Sequence, residues 1–274
     1  MRWSKIKNII ILLLVVVNGF LLALVGVRAW RTEQGARETR ERMVEILSNN
    51  GIAFLPEEVP GALELAAWQV NAEPPGQTQA AALVGEVTET GTSAAGTTYV
   101  GQRGTVTFSA DGGVEASFLP GGWSAGRERV DATVTEMLNA LEISSVRVTG
   151  RREEDDAVTV TVAQLWEGAP VFGQTLTFFW QGGEFIYLSG RYLRGSGEPA
   201  AAGGSITAPT ALTRFLTALN DGGYVCSQIT GLYAGYISGG GETVSLTPAW
   251  FIETDVWPRQ FAVDGLTGAV TAAE

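Results

Sequence analysis

The chain contains no histidine, one cysteine (Cys226) and only two lysines, Lys5 and Lys7. Without imidazole there is no Ser-His-Asp or Cys-His catalysis, no histidine-ligated metal and no histidine pH switch. A single cysteine excludes an intramolecular disulfide and any multi-cysteine zinc or iron–sulfur site. Cys226 follows Tyr224 and Val225, an apolar setting that predicts a buried structural thiol rather than a nucleophile. Beyond Lys7 every cation is arginine, so Schiff-base and lysine-base chemistry have no candidate in the body.

Positive charge is also scarce. Lys and Arg total 18 against 29 acids, a net charge of −11. Residues 1–27 hold Arg2, Lys5 and Lys7 and no acid, so the remainder sets 15 arginines against 29 acids and carries −14. Such a body repels phosphate backbones, which argues against nucleic-acid binding. Charged residues are only 17% and apolar residues 45%, a balance that permits a packed core and excludes general disorder. The length of 274 residues suggests two domains at roughly 150 residues each.

From Asn8 to Val27 the chain runs 20 residues without a charge, about 30 Å of helix and enough to cross a bilayer core. Trp3 and Trp30 flank it, where amphipathic rings favour the membrane interface. A cleaved signal peptide is the competing reading. Its apolar core would be shorter, and Val25-Gly26-Val27-Arg28 is a poor cleavage site, so an uncleaved anchor is expected. Arg28, Arg31, Arg37, Arg40 and Arg42 follow the span, and counting cations on its two sides leaves orientation open. Within it, Gly19, Ala23 and Gly26 follow small-xxx-small spacing and would let another helix approach closely, with Asn18 offering a hydrogen bond. These four residues are the candidate partner-binding positions.

The pattern divides the chain into a tail (1–7), a transmembrane helix (8–27), a juxtamembrane helix (28–50), a strand-rich part (51–125), and two modules (126–196 and 197–274). A short helix is expected around Leu63–Trp68, and alternating segments near Leu83–Val87, Tyr99–Phe108 and Val114–Phe118 read as strands. Val130, Val134, Met137, Leu138 and Leu141 have helical spacing. Strands follow at Val158–Val162, Leu176–Trp180 and Phe185–Leu193. A second helix with Leu212, Phe215, Leu216 and Leu219 is opened by Thr207 and Pro209 and closed by Asp221-Gly222-Gly223. Strands then recur at Tyr224–Tyr236, Val244–Thr254, Arg259–Val263 and Ala269–Thr271. A helix followed by antiparallel strands thus occurs twice, predicting an α+β body of two repeated helix-plus-sheet modules.

Chemistry is sparse. Glu153-Glu154-Asp155-Asp156 could attract a hard cation but lacks a regular ligand spacing, and reads as a solvated hairpin turn. Glu253 and Asp255 alternate along one strand with nothing else to nominate them as an acid/base pair. Gly112-Gly113, Gly182-Gly183 and Gly239-Gly240-Gly241 form no phosphate-binding motif and read as turns. The aromatic residues Trp166, Trp180, Trp250, Trp257, Phe172, Phe178, Phe251 and Phe261 read as core. No enzymatic activity, cofactor or metal is expected.

Met1-Arg2-Trp3-Ser4-Lys5-Ile6-Lys7-Asn8, running directly into an apolar span that contains Asn18, resembles the start of the YycI family. Leu246-Thr247-Pro248-Ala249-Trp250 and Phe261-Ala262-Val263-Asp264-Gly265-Leu266-Thr267-Gly268, with Val171-Phe172-Gly173, are similar to YycI- and PepSY-like modules. The resemblance implies a single-span protein of the Gram-positive cell membrane, with a cytoplasmic N-terminus and an extracellular body. It would associate with the sensor histidine kinase WalK and a YycH-like partner and regulate the WalK–WalR two-component system of cell-wall metabolism. The family has no catalytic residues to carry over. The alternative is a membrane-tethered PepSY-type binding module for a peptide, wall fragment or hydrolase.

Overall fold

The structure, a computed structural model, describes residues 14, 17–20, 22, 34–35, 37–123, 126, 129–200, 203–240, 243–256 and 259–272. The span expected over 8–27 falls largely outside them; its described positions are helical and solvent-exposed. Among the described residues no helix is long and apolar enough to cross a membrane.

The body is α+β and dominated by sheet. Helix α1 (37–49) buries Met43 and Leu47, one turn apart on one face. It ends where the Asn50 N–H and side-chain amide both donate to the Ile46 carbonyl, followed by Gly51 at φ +79°. The expected helix around Leu63–Trp68 is instead an irregular lead-in to strand β1 (Ala67–Ala72). The expected strand at Leu83–Val87 is divided: helix α2 (Gln77–Val84) takes its start, and strand β2 (Val87–Ser93) begins at its end. Both differences have one cause, long-range contact overriding local propensity. Trp68 and Val70 are claimed by ladders to distant strands, and Leu83 and Val84 by a core that their helix covers.

Strands β3 (Gly96–Gly101), β4 (Gly104–Phe108) and β5 (Gly113–Phe118) continue the β2 meander. Helix α3 (Val130–Ala140) follows, then β6 (Val146–Glu154), β7 (Ala157–Trp166), β8 (Ala169–Gln181) and β9 (Glu184–Arg191). Together they make one sheet in the order β6-β7-β8-β9-β5-β4-β3-β2. Its buried face, including Val158, Val160, Val162, Phe178, Trp180 and Phe185, packs against Leu83 of α2 and Met137 and Leu138 of α3.

Strand β10 (Gly195–Ala200) leads to helix α4 (Ala208–Gly222), capped by Thr207 with proline in its first turn and closed by Gly223 in the left-handed region at φ +66°. Strands β11 (Ile229–Gly240), β12 (Thr243–Thr254), β13 (Gln260–Asp264) and β14 (Val270–Ala272) form the second meander. The stretch from Tyr224 to Gln228, expected as the start of β11, is a loop up to a single bridge at Gln228. One edge of β12 pairs with β11; the other pairs first with β1 and then with β13. β1, from early in the chain, therefore lies in the second sheet between β10 and β12. Leu212 and Phe215 of α4 and Met43 and Leu47 of α1 pack on Trp250, Ile252 and Phe261.

The two sheets meet where the start of β8 runs parallel to β11, with Val171 opposite Tyr236 and Phe172 opposite Ile237. Gly235 lies beside this junction, where a Cβ would sit 2.6 Å from the Pro170 carbonyl oxygen and 2.7 Å from the Phe251 ring. Only a residue without a side chain fits. Val70, Ala169, Val171, Leu193, Tyr236 and Leu246 form the apolar seam between the two units.

Candidate functional site

Beside this seam lies a cleft of about 320 Å³ built from four separate segments: Glu73 after β1, residues 142–145 after α3, residues 164–166 at the end of β7, and residues 193–196 entering β10. Each segment reaches it for a local reason. Helix α3 ends at Leu141, and Glu142 adopts φ +59°, a left-handed conformation that turns the chain off the helix. β7 delivers Gln164, whose buried amide takes the place of a strand partner. Its Nε2 donates to the Leu193 carbonyl (2.6 Å), while its Oε1 accepts from the Leu193 N–H (2.7 Å). The Glu73 N–H donates to the Arg194 carbonyl, which ties β1 to the entry of β10.

Arg194 is the hub. Its Nε and Nη2 both donate to Glu142 Oε2, at 2.7 and 2.6 Å, and Nη2 lies 3.6 Å from Glu73 Oε2. Gln79 of α2 donates to Glu142 Oε1 at 3.0 Å. These hydrogen bonds, first Arg194 and then Gln79, hold the Glu142 carboxyl below its ordinary value of 4.5. Nearby, burial pushes the Tyr192 hydroxyl well up, and that oxygen has no hydrogen-bond partner among the described residues. Trp166 lines the cleft and packs edge-on against Trp68, 6.0 Å between ring centres. Its indole N–H is buried and has no acceptor among the described residues.

A depressed folded-state pKa contributes stability that is present above the unfolded value and lost as pH falls through the folded one. Glu142 depends on Arg194, Asp255 on Ser227, and Asp111 on Ser109, and all three are depressed. The urea midpoint is therefore expected to be flat near neutrality and to fall as pH drops below the ordinary carboxyl values. Glu142→Gln, which stands in for the protonated acid, should lower the neutral midpoint by about as much as it removes from that fall. An unchanged acid limb in Glu142→Gln would show that this carboxylate carries none of the dependence.

The residues singled out from sequence are dispersed. Asn18 and Gly19 are helical and exposed; Ala23 and Gly26 lie outside the described residues, as does Trp257. Cys226 is buried, and desolvation, helped by the Asp255 charge, raises its thiol to about 11, far from a thiolate at neutral pH. Asp155 and Asp156 make the β6–β7 turn, where Arg151 pairs with Glu153 and Arg152 with Glu154. No metal-binding group of acids, cysteine and histidine occurs among the described residues.

Glu253 and Asp255 do not act on a common group. Tyr233 donates to Glu253 (2.7 Å) and accepts from Gln260 (2.8 Å), while the Arg147 guanidinium lies 5.1 Å from its ring centre. Asp255 instead accepts from the Ser227 hydroxyl and the N–H groups of Ser227 and Gln228, closing the loop before β11. Gly112 shapes the β4–β5 turn, and Gly182 and Gly183 the β8–β9 turn. Trp180, Trp250, Phe178, Phe251 and Phe261 are core residues. Sequence reasoning missed the cleft, because no motif links Glu73, Glu142, Trp166 and Arg194; only Trp166 drew notice, as an aromatic.

No family model and no curated protein matches the chain. Among solved structures, an uncharacterized protein from Eubacterium rectale is similar at 10% identity and TM-score 0.50, over 77% of this chain and 86% of its own. The Bacillus megaterium YpeB C-terminal domain is a weaker neighbour, at 11% identity and TM-score 0.36, over 69% of this chain and 88% of its own. What the chain shares with the Eubacterium rectale protein is an α+β, sheet-dominated fold.

Proposed function

We propose that this chain is a membrane-anchored accessory protein whose extracellular body recognises a target rather than transforming it. On this reading it regulates a WalK-like sensor histidine kinase, together with a YycH-like partner, and so affects cell-wall metabolism. The observation that carries recognition over turnover is the wiring of the seam cleft. Its arginine is committed to two carboxylates and its amide to a backbone pair, so these groups are spent on holding a shape. The anchor rests on the uncharged run 8–27, in which Leu14, Val17, Phe20 and Leu22 are exposed on helical positions. The kinase as target rests on the N-terminal and C-terminal sequence resemblance.

Contacts of the span in the bilayer would shift the kinase between signalling states by their differential stability in each. Tagged full-length protein, purified from native membranes in mild detergent, is expected to carry a sensor kinase with it, whereas residues 31–274 alone are not. Replacing Gly19 and Ala23 by Ile should weaken that capture; unchanged capture and signalling would exclude this face. The cleft favours a second reading, a tethered PepSY-type binding module for a peptide, wall fragment or hydrolase. In that case the body alone would capture its target as well as the full chain does.

A further inference from the structure

We propose that the end of the second sheet where three loops meet docks a partner protein through a basic segment carrying apolar residues. The inference rests on the reading of the body as a recognition module and names a surface for it outside the cleft. Ala53 donates to the Ser227 carbonyl and accepts from the Ile229 N–H, while the Asp255 N–H donates to the Gln228 carbonyl. The Asp255 carboxylate accepts in turn from Ser227 and from the Gln228 N–H. These bonds tie together the loops that carry Leu55, Val225 and Val256, all exposed, Val225 by 80% and Leu55 by 53%. Tyr224, also exposed, is fixed in the same loop. Its ring meets Phe261 edge-on, 5.7 Å between centres, and lies across Gly222. A single exposed apolar residue is ordinary, but four carried on three joined loops make a patch, and such patches mark interaction sites.

Charge selects the occupant. The charged residues described in segments 53–58, 221–228 and 254–259 are Glu57, Glu58, Asp221, Asp255 and Arg259, four acids and one cation, all exposed. Each acid stands within three residues of Leu55, Tyr224 or Val256 along the chain. Apolar side chains set among acids complement a partner surface with apolar side chains set among arginines or lysines. The net charge of −14 on the body draws such a partner in from a distance. A second copy of the chain is disfavoured, because a two-fold contact would bring the acids of one copy against those of the other. Anionic lipid headgroups are repelled for the same reason. The bonds of Asp255 already order the loops, so binding costs little further ordering.

The test is fluorescence anisotropy of labelled peptides titrated with the full chain at a fixed concentration of uncharged detergent. The probes are Arg-Leu-Arg-Leu-Arg, Arg-Gly-Arg-Gly-Arg and Glu-Leu-Glu-Leu-Glu. The first is expected to bind, the second to bind about fivefold more weakly, and the third not to bind. Val225→Ser should bring the arginine–leucine peptide down to the affinity of the arginine–glycine peptide. Leu55→Ser should act in the same direction and is the variant to use if Val225→Ser fails to fold. No binding of the arginine–leucine peptide, an affinity no better than that of the arginine–glycine peptide, or binding unchanged in both variants would overturn the proposal. So would self-association of the chain that Val225→Ser abolishes, which would make the patch a contact between copies. Kinase capture by full-length Val225→Ser is expected to persist, being assigned to the span, so failure of this surface and failure of the regulatory reading are told apart.

Discussion

Trp250→Ala is expected to lower the unfolding free energy by about 4 kcal/mol, near the upper end for a single core truncation. Trp250 sits on β12, the strand that carries most of the second sheet's pairing, opposite Ala234 on β11 and Val263 on β13. It is almost wholly buried beneath α4, among Phe215, Ile252 and Phe261. Its indole N–H donates to the Ile206 carbonyl at 3.0 Å, pinning the lead-in to α4. Truncation therefore leaves a cavity in the core and a carbonyl without its partner, two penalties of different origin. Urea unfolding followed by circular dichroism is the measurement. Trp250→Phe, which refills most of the volume, should recover more than half of the loss. A decrease below about 2 kcal/mol for Trp250→Ala would mean that the site collapses around the missing ring.

Gly235→Val should cost about 3 kcal/mol and, more tellingly, should separate the two units. The added side chain has no room, because a Cβ already lies 2.6 Å from the Pro170 carbonyl oxygen and 2.7 Å from the buried Phe251 ring. A backbone oxygen cannot swing aside as a side chain can, so the parallel contact between β8 and β11 has to open. The ladder there consists, among the described residues, of the pairs Val171–Tyr236 and Phe172–Ile237. The expected result is that one cooperative unfolding transition becomes two, with the unit around Trp180 melting apart from the unit around Trp250. One transition with an unchanged midpoint would show that Phe251 repacks and the junction holds.

Much of the fold can be read from the chain. Thr207, the proline two residues later and Gly223 bracket α4 as local stereochemistry demands. The alternation of Val158, Val160 and Val162 identifies the buried face of β7. Gly112, Gly182 and Gly183 mark turns because each reaches positive φ without steric cost, whereas Gly239 and Gly240, also expected as a turn, end strand β11 in register with Ser245 and Val244. The stretch Leu63–Trp68 misleads, since its leucines and alanines favour helix locally while its strand end pairs with β10 and β12, far away in the chain.

The cleft was not legible at all. Glu73, Glu142, Trp166 and Arg194 stand far apart in the chain and are ordinary residues where they occur. Only the packing of β1 between β10 and β12, and of α3 over the first sheet, brings them into contact.

Composition and short-range periodicity are properties of neighbouring residues, so the missing imidazole, the acidic balance, the apolar run 8–27 and the twice-repeated order of helix and strands can be read along the chain. Long-range packing places β1 in the second sheet, joins the sheets beside Gly235, and sets one arginine between two glutamates next to a tryptophan. Those outcomes depend on which distant surfaces bury each other best, a competition that local spacing does not record.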